Sequence, residues 1–529
     1  MASRTQNSIR NVFAAWGGQV ILAVAQFVVR AVFVACLAKE YVGLETLFSS
    51  VLTVLTLADL GIGSAIVFAL YEPLAKDDHE AIKSLMRLFK RAYIVIGCTI
   101  IGIGAAVSPF IRFLVGGDAP DIPFLEVYFF CFVLNTGISY FFSYKGSLIM
   151  ADQKSYVVYL IQYSFACIMA LFQIAVLLLT HNYLLFLACM IASTLFQNIC
   201  IARKANKMYP FILEKDVKPI DPQVLDGIKK NVMGLIIHKI AGVASTPVSN
   251  IVITKFVGLA TTSIYGNYLL IVNALTSVTN RLFDSVIASV GNLKESESEE
   301  RSYEIFKATF FINAIIFAMV CGGLLCSFNA FISIWIGDSW LFSFDVVVLI
   351  VLLFYVKGMR CAALTFTSAY GLYWYTRWKA VLEAISLPLL ALILVFPLGI
   401  KGVLLAGVAS SVCIATMYEA WAVYRHGFHR PLRRFAFAYV KYTAVSFAAI
   451  ALAYVMVCWR FSCTDSSVLP SPAAYTCWFS DARRNSQSSS VRQRVSSVAL
   501  PRNSSGSQPK ALPAGRLFFQ VSRMQRRLT

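Results

Sequence analysis

The sequence predicts an all-α polytopic membrane protein with about thirteen transmembrane helices. Hydrophobic residues make up 58% of the 529 residues and charged residues only 14%, whereas soluble globular chains carry about 25% charge. Apolar stretches of about 20 residues recur along most of the chain, and each is long enough to cross a hydrocarbon core as a helix. One such stretch could be a signal peptide, but a dozen indicate a multi-pass protein.

The apolar stretches place the helices one by one. In chain order they cover residues 13–37, 42–70, 93–115, 124–149, 157–179, 184–202, 232–257, 263–290, 306–336, 344–370, 380–398, 403–423 and 435–458.

Positive charge orients these helices. The formal net charge is +19, but most lysines and arginines lie in short segments between apolar stretches, which is the positive-inside pattern and not a nucleic-acid site. Arg4 and Arg10 precede the first stretch, so we expect a cytoplasmic N-terminus in a bacterial plasma membrane. Most of the 13 cysteines lie inside apolar stretches without CxxC spacing, which favours small buried hydrophobes over a metal or disulfide framework. No cofactor is predicted.

A proline-containing connection divides the predicted helices into two six-helix lobes. It covers residues 203–230, between an N-terminal lobe at 1–202 and a C-terminal lobe at 231–424, and residues 425–458 form a further helix. Segments 28–55 and 248–275 share a weak pattern of apolar and small residues, as expected of a duplicated transporter.

Residues 459–529 are rich in Ser, Arg, Pro and Gln and predict a disordered basic tail. Thirteen crossings would place this tail outside, against the positive-inside rule. We therefore expect a shifted reading frame after about Trp459; a genuine lineage-specific tail is the alternative.

Three short motifs carry a resemblance to a known family. The first helix ends in the pattern R-x-x-F-x-x-x-L-(G/A)-x-x-Y-x-G-L from Arg30 to Leu44, residues 58–65 read A-D-L-G-I-G-S-A, and residues 264–271 read I-Y-G-N-Y-L-L-I. Over about residues 5–458 the chain resembles Wzx-type polysaccharide flippases of the multidrug/oligosaccharidyl-lipid/polysaccharide (MOP) superfamily. It departs from them where a fourteenth helix is expected.

The resemblance implies a transporter and not an enzyme. Family members usually have fourteen helices in two bundles around a central cavity. They move polyprenyl-pyrophosphate-linked oligosaccharides from the inner to the outer leaflet for O-antigen and other cell-surface polysaccharides. The implied partners are the lipid-linked oligosaccharide and membrane lipids, with a polysaccharide polymerase and chain-length machinery as further candidates.

Charged residues at membrane depth are the candidate functional groups, because each costs roughly 2.5 to 3.5 kcal/mol on insertion. We expect the cations to line an anion-binding cavity: Arg30, Lys239, Arg281, Lys357 and Arg360. Lys357 and Arg360 stand three apart on one helix face and could grip a pyrophosphate together. Asp59 and Asp284 are the candidates for ion coupling.

Several structural interpretations of the same charges stay open. Arg30 could pair with Asp59 or extend toward the interface, and Arg281 could pair with Asp284. Lys357 and Arg360 could also mark a solvated helix end. Weaker candidates for a role in transport are Lys145, His238, Glu383 and Glu419.

The excess of cations over carboxylates favours an anionic cargo. A cation-coupled multidrug antiporter of the same superfamily is the alternative, and it should carry more carboxylates at mid-membrane. A membrane-embedded glycosyltransferase would need large extramembrane loops with paired carboxylates, and the outer loops here are too short. The sequence contains no GxxxxGK[ST] motif, so we expect an ion or substrate gradient to drive transport.

Overall fold

The computed structural model describes residues 4–59, 62–116, 122–214, 246–296 and 298–464, with isolated positions between 216 and 228. Within these ranges the chain is almost entirely helical and contains no β-strand. The predicted all-α fold is therefore confirmed. The tail from residue 465 onward and the segment 229–245 lie outside the described residues.

Eight α-helices can be described before the gap that begins after residue 228, and they form what we term the N-terminal half. They are α1 Arg4–Cys36, α2 Lys39–Leu55, α3 Ile62–Ala75, α4 His79–Val107, α5 Ile111–Val115, α6 Leu125–Ala151, α7 Ser155–Thr180 and α8 Tyr183–Met208.

The described helices after the gap form the C-terminal half. They are α9 Thr246–Phe256, α10 Leu259–Ser296, α11 Glu299–Ile336, α12 Phe344–Met359, α13 Cys361–Ala369, α14 Tyr373–Leu398, α15 Ile400–Ser410, α16 Met417–Ala422 and α17 Arg433–Thr464. A π-helical turn, Ser411–Thr416, joins α15 to α16, and a second, Val423–Gly427, follows α16.

Local signals explain where several helices begin and end. The Asp78 side chain accepts a hydrogen bond from the Ala81 amide at the start of α4, and Asn182 caps α8 in the same way. Gly337 ends α11 with φ of 101°, a conformation that side chains other than glycine rarely adopt. Polar loops thus alternate with apolar helices as the sequence predicts.

Two predicted helices are interrupted. The stretch 42–70 was expected to form one helix, but α2 ends at Leu55 and a 3₁₀ turn, Thr56–Asp59, separates it from α3. The stretch 344–370 breaks between α12 and α13 at Arg360. Both breaks place a charged side chain at a bend, where the helix hydrogen-bond ladder is locally open.

Ten helices in the described residues are long and apolar enough to cross a membrane. Three predicted stretches are missing from these ten. They are the interrupted stretch 42–70, the stretch 232–257, which lies partly outside the described residues, and the stretch 263–290, which lies in α10. α10 has 38 residues, but its mean hydropathy is lower than that of the ten spanning helices, because Asn, Thr and Arg side chains interrupt its apolar surface. The chain is a multi-pass membrane protein, and among its described long helices α10 has the lowest mean hydropathy.

Corresponding helices pack in the same pairs in both halves. In the N-terminal half α1 packs on α7, α6 on α4 and α8, and α7 on α8. In the C-terminal half α9 packs on α14, α12 on α11 and α15, and α14 on α15. This repeated pairing supports the internal duplication, while the exact lobe limits at 202 and 231 stay predictions.

The two halves meet along α2, which packs against α9 and α10. Gly43 and Gly266 make the close approach possible, since a Cβ on Gly43 would lie 2.6 Å from the Leu259 carbonyl oxygen and one on Gly266 would lie 2.4 Å from the Thr46 hydroxyl. The Asn250 amide donates a hydrogen bond of 2.9 Å to the Ser50 hydroxyl at the same interface. The halves are therefore in direct backbone-to-backbone contact here.

Candidate functional site

Arg30 is held by a glutamate of the neighbouring helix. Its Nη1 lies 2.8 Å from Glu45 Oε2, with the side chains 13% and 25% exposed. Its guanidinium carbon also lies 5.6 Å from the Phe33 ring centre, and the buried Tyr183 is adjacent to the pair. The partner of Arg30 is thus Glu45 of α2 and not Asp59.

Asp59 lies in a separate cavity of the N-terminal half. It ends the 3₁₀ turn after α2, is 8% exposed, and lines a cavity of about 410 Å³. Tyr93 and Ser147 line the same cavity from α4 and α6. A buried carboxylate facing such a cavity is a suitable group for binding a cation or a proton.

Arg360 belongs to a buried network of four charged residues, which we term the Arg360 cluster: Arg360, Lys379, Glu383 and Glu419. Arg360 donates to both carboxylate oxygens of Glu419 at 3.0 and 2.6 Å and to Glu383 at 3.3 Å. Lys379 lies 2.9 Å from Glu383 and 2.8 Å from Glu419. Two cations therefore face two carboxylates, and the cluster is neutral.

The Arg360 cluster follows from local structure. Lys379 and Glu383 lie one turn apart on α14, Glu419 lies on α16 between the two π-helical turns, and Arg360 lies at the break between α12 and α13. Glu419 is 1% exposed and Arg360 9%. Both edges of the Arg360 guanidinium are engaged by carboxylates in this structure, and its role in cargo binding stays a prediction.

Lys357 lines a cavity of the C-terminal half and is also within electrostatic reach of Arg360 and Glu383 in the Arg360 cluster. The cavity has a volume of about 160 Å³ and is bounded by α9, α10, α11, α12 and the start of α13. Lys357 is the only charged side chain among the described residues that line it. The other polar side chains that line the cavity are Ser249, Tyr265, Asn273, Thr276, Thr279 and Asn280.

One face of α10 supplies most of this polar lining. Asn273, Thr276 and Asn280 recur at spacings of three and four residues, so they share one side of the helix. Arg281 follows directly, is exposed, and acts electrostatically on Tyr163 of α7 in the other half. Arg281 therefore lies between the two halves.

Two of the predicted site residues were not located. Lys239 and the side chain of Asp284 lie outside the described residues. Sequence reasoning also missed Glu45 and Lys379, as well as the polar face of α10. A count of Asn and Thr along α10 would have indicated that face.

No protein-family model and no curated protein matches this sequence, whereas solved structures match its fold. An inward-facing multidrug resistance MATE family transporter of the MOP superfamily aligns with a TM-score of 0.63 and 12% identity over 77% of this chain and 94% of that one. The lipid II flippase MurJ, in an inward closed conformation, aligns with a TM-score of 0.57 and 15% identity over 86% and 99%. A Vibrio cholerae MATE transporter aligns with a TM-score of 0.51 and 11% identity over 81% and 99%.

These similarities show that the chain has the fold of MOP superfamily transporters. The superfamily fold expected from the sequence motifs is therefore confirmed. Identities this low do not distinguish the polysaccharide branch from the multidrug branch, so the Wzx resemblance stays a prediction.

Proposed function

We propose that this protein is a flippase that moves polyprenyl-pyrophosphate-linked oligosaccharides from the inner to the outer leaflet of a bacterial plasma membrane. The observation that carries the proposal is the lining of the Lys357 cavity. It combines one lysine with amide and hydroxyl groups, and no carboxylate occurs among its described lining residues. Such a surface suits a phosphate and sugar hydroxyls, while the lipid tail stays in the bilayer.

The contacts between the halves support an alternating-access mechanism. Lys39 of α2 donates to the Ser339 carbonyl oxygen in the loop after α11, and Lys255 of α9 donates to the Phe113 carbonyl oxygen in α5. The positive-inside rule assigns these segments to the outer face. The two halves are then in contact at the outer face, as in a state that loads cargo from the cytoplasmic side. Export requires the halves to separate at the outer face.

The remaining charged residues have distinct proposed roles. Lys357 binds the phosphate, and Arg281 attracts it from the space between the halves. Asp59 binds the coupling ion in the N-terminal half, which rocks against the C-terminal half. Lys239 and Asp284 keep their predicted roles in cargo binding and ion coupling, and a polymerase with chain-length machinery would receive the product.

A cation-coupled drug antiporter is the second candidate, and Asp59 is the observation that favours it. Its buried carboxylate faces a cavity of about 410 Å³ with aromatic lining from Phe68, Tyr71 and Tyr93. Aromatic rings around a carboxylate suit an organic cation. In that case the cavity lined by Asp59, and not the Lys357 cavity, would hold the cargo.

The experiment measures lipid-linked oligosaccharide in a deletion strain that expresses each variant. Lys357→Gln should cause accumulation equal to that of the deletion strain, and Lys357→Arg should restore part of the export because it keeps the charge. Lys441→Gln is the control, since Lys441 is exposed on α17 and lines neither cavity.

Two outcomes would overturn the proposal. Normal export by Lys357→Gln would show that this cavity does not bind the cargo. Drug resistance that depends on Asp59, together with normal oligosaccharide export in the deletion strain, would identify the protein as an antiporter.

A further inference from the structure

The turn between α16 and α17 encloses a basic cavity that the proposed transport sites do not use. It has a volume of about 450 Å³. Its lining residues are Trp421, Tyr424, Arg425, His429, Arg430, Pro431 and Leu432. We term it the α16–α17 cavity. It shares no lining residue with the Lys357 cavity or the Asp59 cavity.

The chain around this cavity is firmly anchored. Phe428 is fully buried against the rings of Tyr303, Phe306 and Phe366. The Arg430 amide donates a 2.8 Å hydrogen bond to the Tyr424 carbonyl oxygen, which closes the turn. Because the turn is held by the core, its polar side chains are positioned before any ligand binds.

The cavity carries an excess of positive charge. Residues 420–434 contain four arginines, at 425, 430, 433 and 434, and no aspartate or glutamate. The first turn of α11 contributes two carboxylates, Glu299 beside His429 at 3.3 Å and Glu300 paired with Arg430. No described carboxylate forms an ion pair with Arg425, Arg433 or Arg434, and all three are exposed.

Arg430 is held in place by an aromatic ring as well. Its guanidinium carbon lies 4.2 Å from the centre of the Tyr303 ring, and its Nε is buried without a hydrogen-bond partner in the described structure. An anion entering the cavity would therefore meet an arginine that is already oriented. Arginine binds phosphate oxygens through two parallel N–H groups.

The surroundings of the cavity are those of a membrane interface. Trp421, which lines the cavity, is 36% exposed, and tryptophan is enriched at the level of lipid headgroups. Further along α17, Phe437 and Val440 are 76% and 66% exposed. An acyl chain can lie along that apolar surface while its headgroup occupies the basic cavity.

We propose that the α16–α17 cavity binds the headgroup of an anionic phospholipid from the leaflet on the side of the basic loops. Arg425 and Arg430 contact the phosphodiester, Arg433 adds attraction at the cavity mouth, and the Trp421 indole lies at headgroup level. Basic pockets between transmembrane helices commonly select anionic headgroups over zwitterionic ones. This lipid site is separate from the proposed cargo-binding cavity, and a bound lipid would stabilise the position of α17 in the bilayer.

The test is native mass spectrometry of the full chain, released from nanodiscs of phosphatidylglycerol or of phosphatidylcholine. We expect retained phosphatidylglycerol and little phosphatidylcholine. Arg425→Gln and Arg433→Gln should each lower the retained phosphatidylglycerol about fivefold, the effect of one basic side chain near an anionic surface. Arg203→Gln is the control, because Arg203 is an exposed arginine on α8 and is assigned to the same membrane face.

Each other outcome overturns the proposal. Equal retention of both lipids would mean that the cavity does not select anionic headgroups. Equal losses in Arg203→Gln would mean that binding depends on general surface charge. Displacement of the lipid by excess inorganic phosphate would identify a site for free phosphate instead. Since Arg425 and Arg433 are both exposed, two variants protect the test against a folding defect in one of them.

Discussion

Arg30 and Arg360 are both arginines in membrane helices, and glutamates neutralise both, but their surroundings differ. Arg30 makes one ion pair with Glu45, and both side chains keep some exposure at 13% and 25%. Arg360 pairs with two carboxylates, Glu383 and Glu419, and Glu419 is only 1% exposed. The first pair can open to a ligand, whereas the Arg360 cluster is closed and cross-links three helices. We therefore expect Arg30 to be able to exchange partners and Arg360 to contribute mainly to stability.

The largest expected effect comes from breaking the Arg360 cluster. Glu419→Gln leaves Arg360 and Lys379 sharing the single carboxylate of Glu383, and uncompensated buried charge typically costs about 3 to 5 kcal/mol. Thermal unfolding in detergent should show a large loss of stability or no folded protein. Glu304→Gln is the control, since Glu304 is 50% exposed in its pair with Arg301, and such surface pairs contribute less than about 1 kcal/mol.

A second variant identifies the cause of this loss. Adding Arg360→Gln to Glu419→Gln removes one charge of each sign and should recover part of the stability. A double variant less stable than Glu419→Gln alone would mean that packing and not charge pairing holds these helices. Unchanged unfolding of Glu419→Gln would contradict the cluster itself.

The Arg30–Glu45 pair should respond less in stability and more in function. Either Arg30→Gln or Glu45→Gln leaves one partly buried group without its partner, at about 1 to 3 kcal/mol. If Arg30 exchanges Glu45 for a phosphate of the cargo, Arg30→Gln should abolish export, while Glu45→Gln should retain it. Oligosaccharide accumulation in the deletion strain measures the difference. Equal loss of export in both variants would assign Arg30 a purely structural role.

The depth of these arginines in the membrane follows from the sequence, but their partners do not. An apolar stretch indicates a helix and places Arg30 inside it, because no other structure satisfies the backbone in lipid. Which glutamate faces Arg30 depends on how α1 and α2 rotate against each other, and the sequence motifs carry no information on that. Glu45 and Asp59 both lie in the same predicted stretch, and only the structure shows which one Arg30 contacts.

The Arg360 cluster was missed for a related reason. Glu383 and Glu419 were weak candidates one by one, but their shared contact with Arg360 joins α12, α14 and α16, which are far apart in the sequence. The predicted apolar stretch 380–398 excludes Lys379, whereas α14 begins at Tyr373 and includes it. A helix extends past its apolar core when charged residues in its first turns find partners inside the protein.

The smallest expected effect concerns two lysines that connect the halves in related ways. Lys39 donates at 2.8 Å to the Ser339 carbonyl oxygen and lies 5.0 Å from the Trp340 ring centre. Lys255 donates at 2.5 Å to the Phe113 carbonyl oxygen and lies 3.7 Å from the Phe113 ring centre. Lys39 lies in the first turn of α2 and Lys255 in the last turn of α9, so each is next to the connection between the first two transmembrane stretches of its half. Each binds a residue at the end of the third stretch of the other half or just after it. We expect them to stabilise the closed outer face together.

Replacing these lysines by glutamine should loosen that face without unfolding the protein. Exposed charge contacts contribute about 0.2 to 1 kcal/mol each, so backbone amides at the start of α2 and of α10 should exchange hydrogen up to about fivefold faster. The double variant should show the product of both effects. Lys401→Gln is the matched control, because Lys401 pairs with Asp345 within one half. If Lys401→Gln accelerates hydrogen exchange as much as Lys39→Gln does, Lys39 and Lys255 act as ordinary surface charges and do not stabilise the contact between the halves.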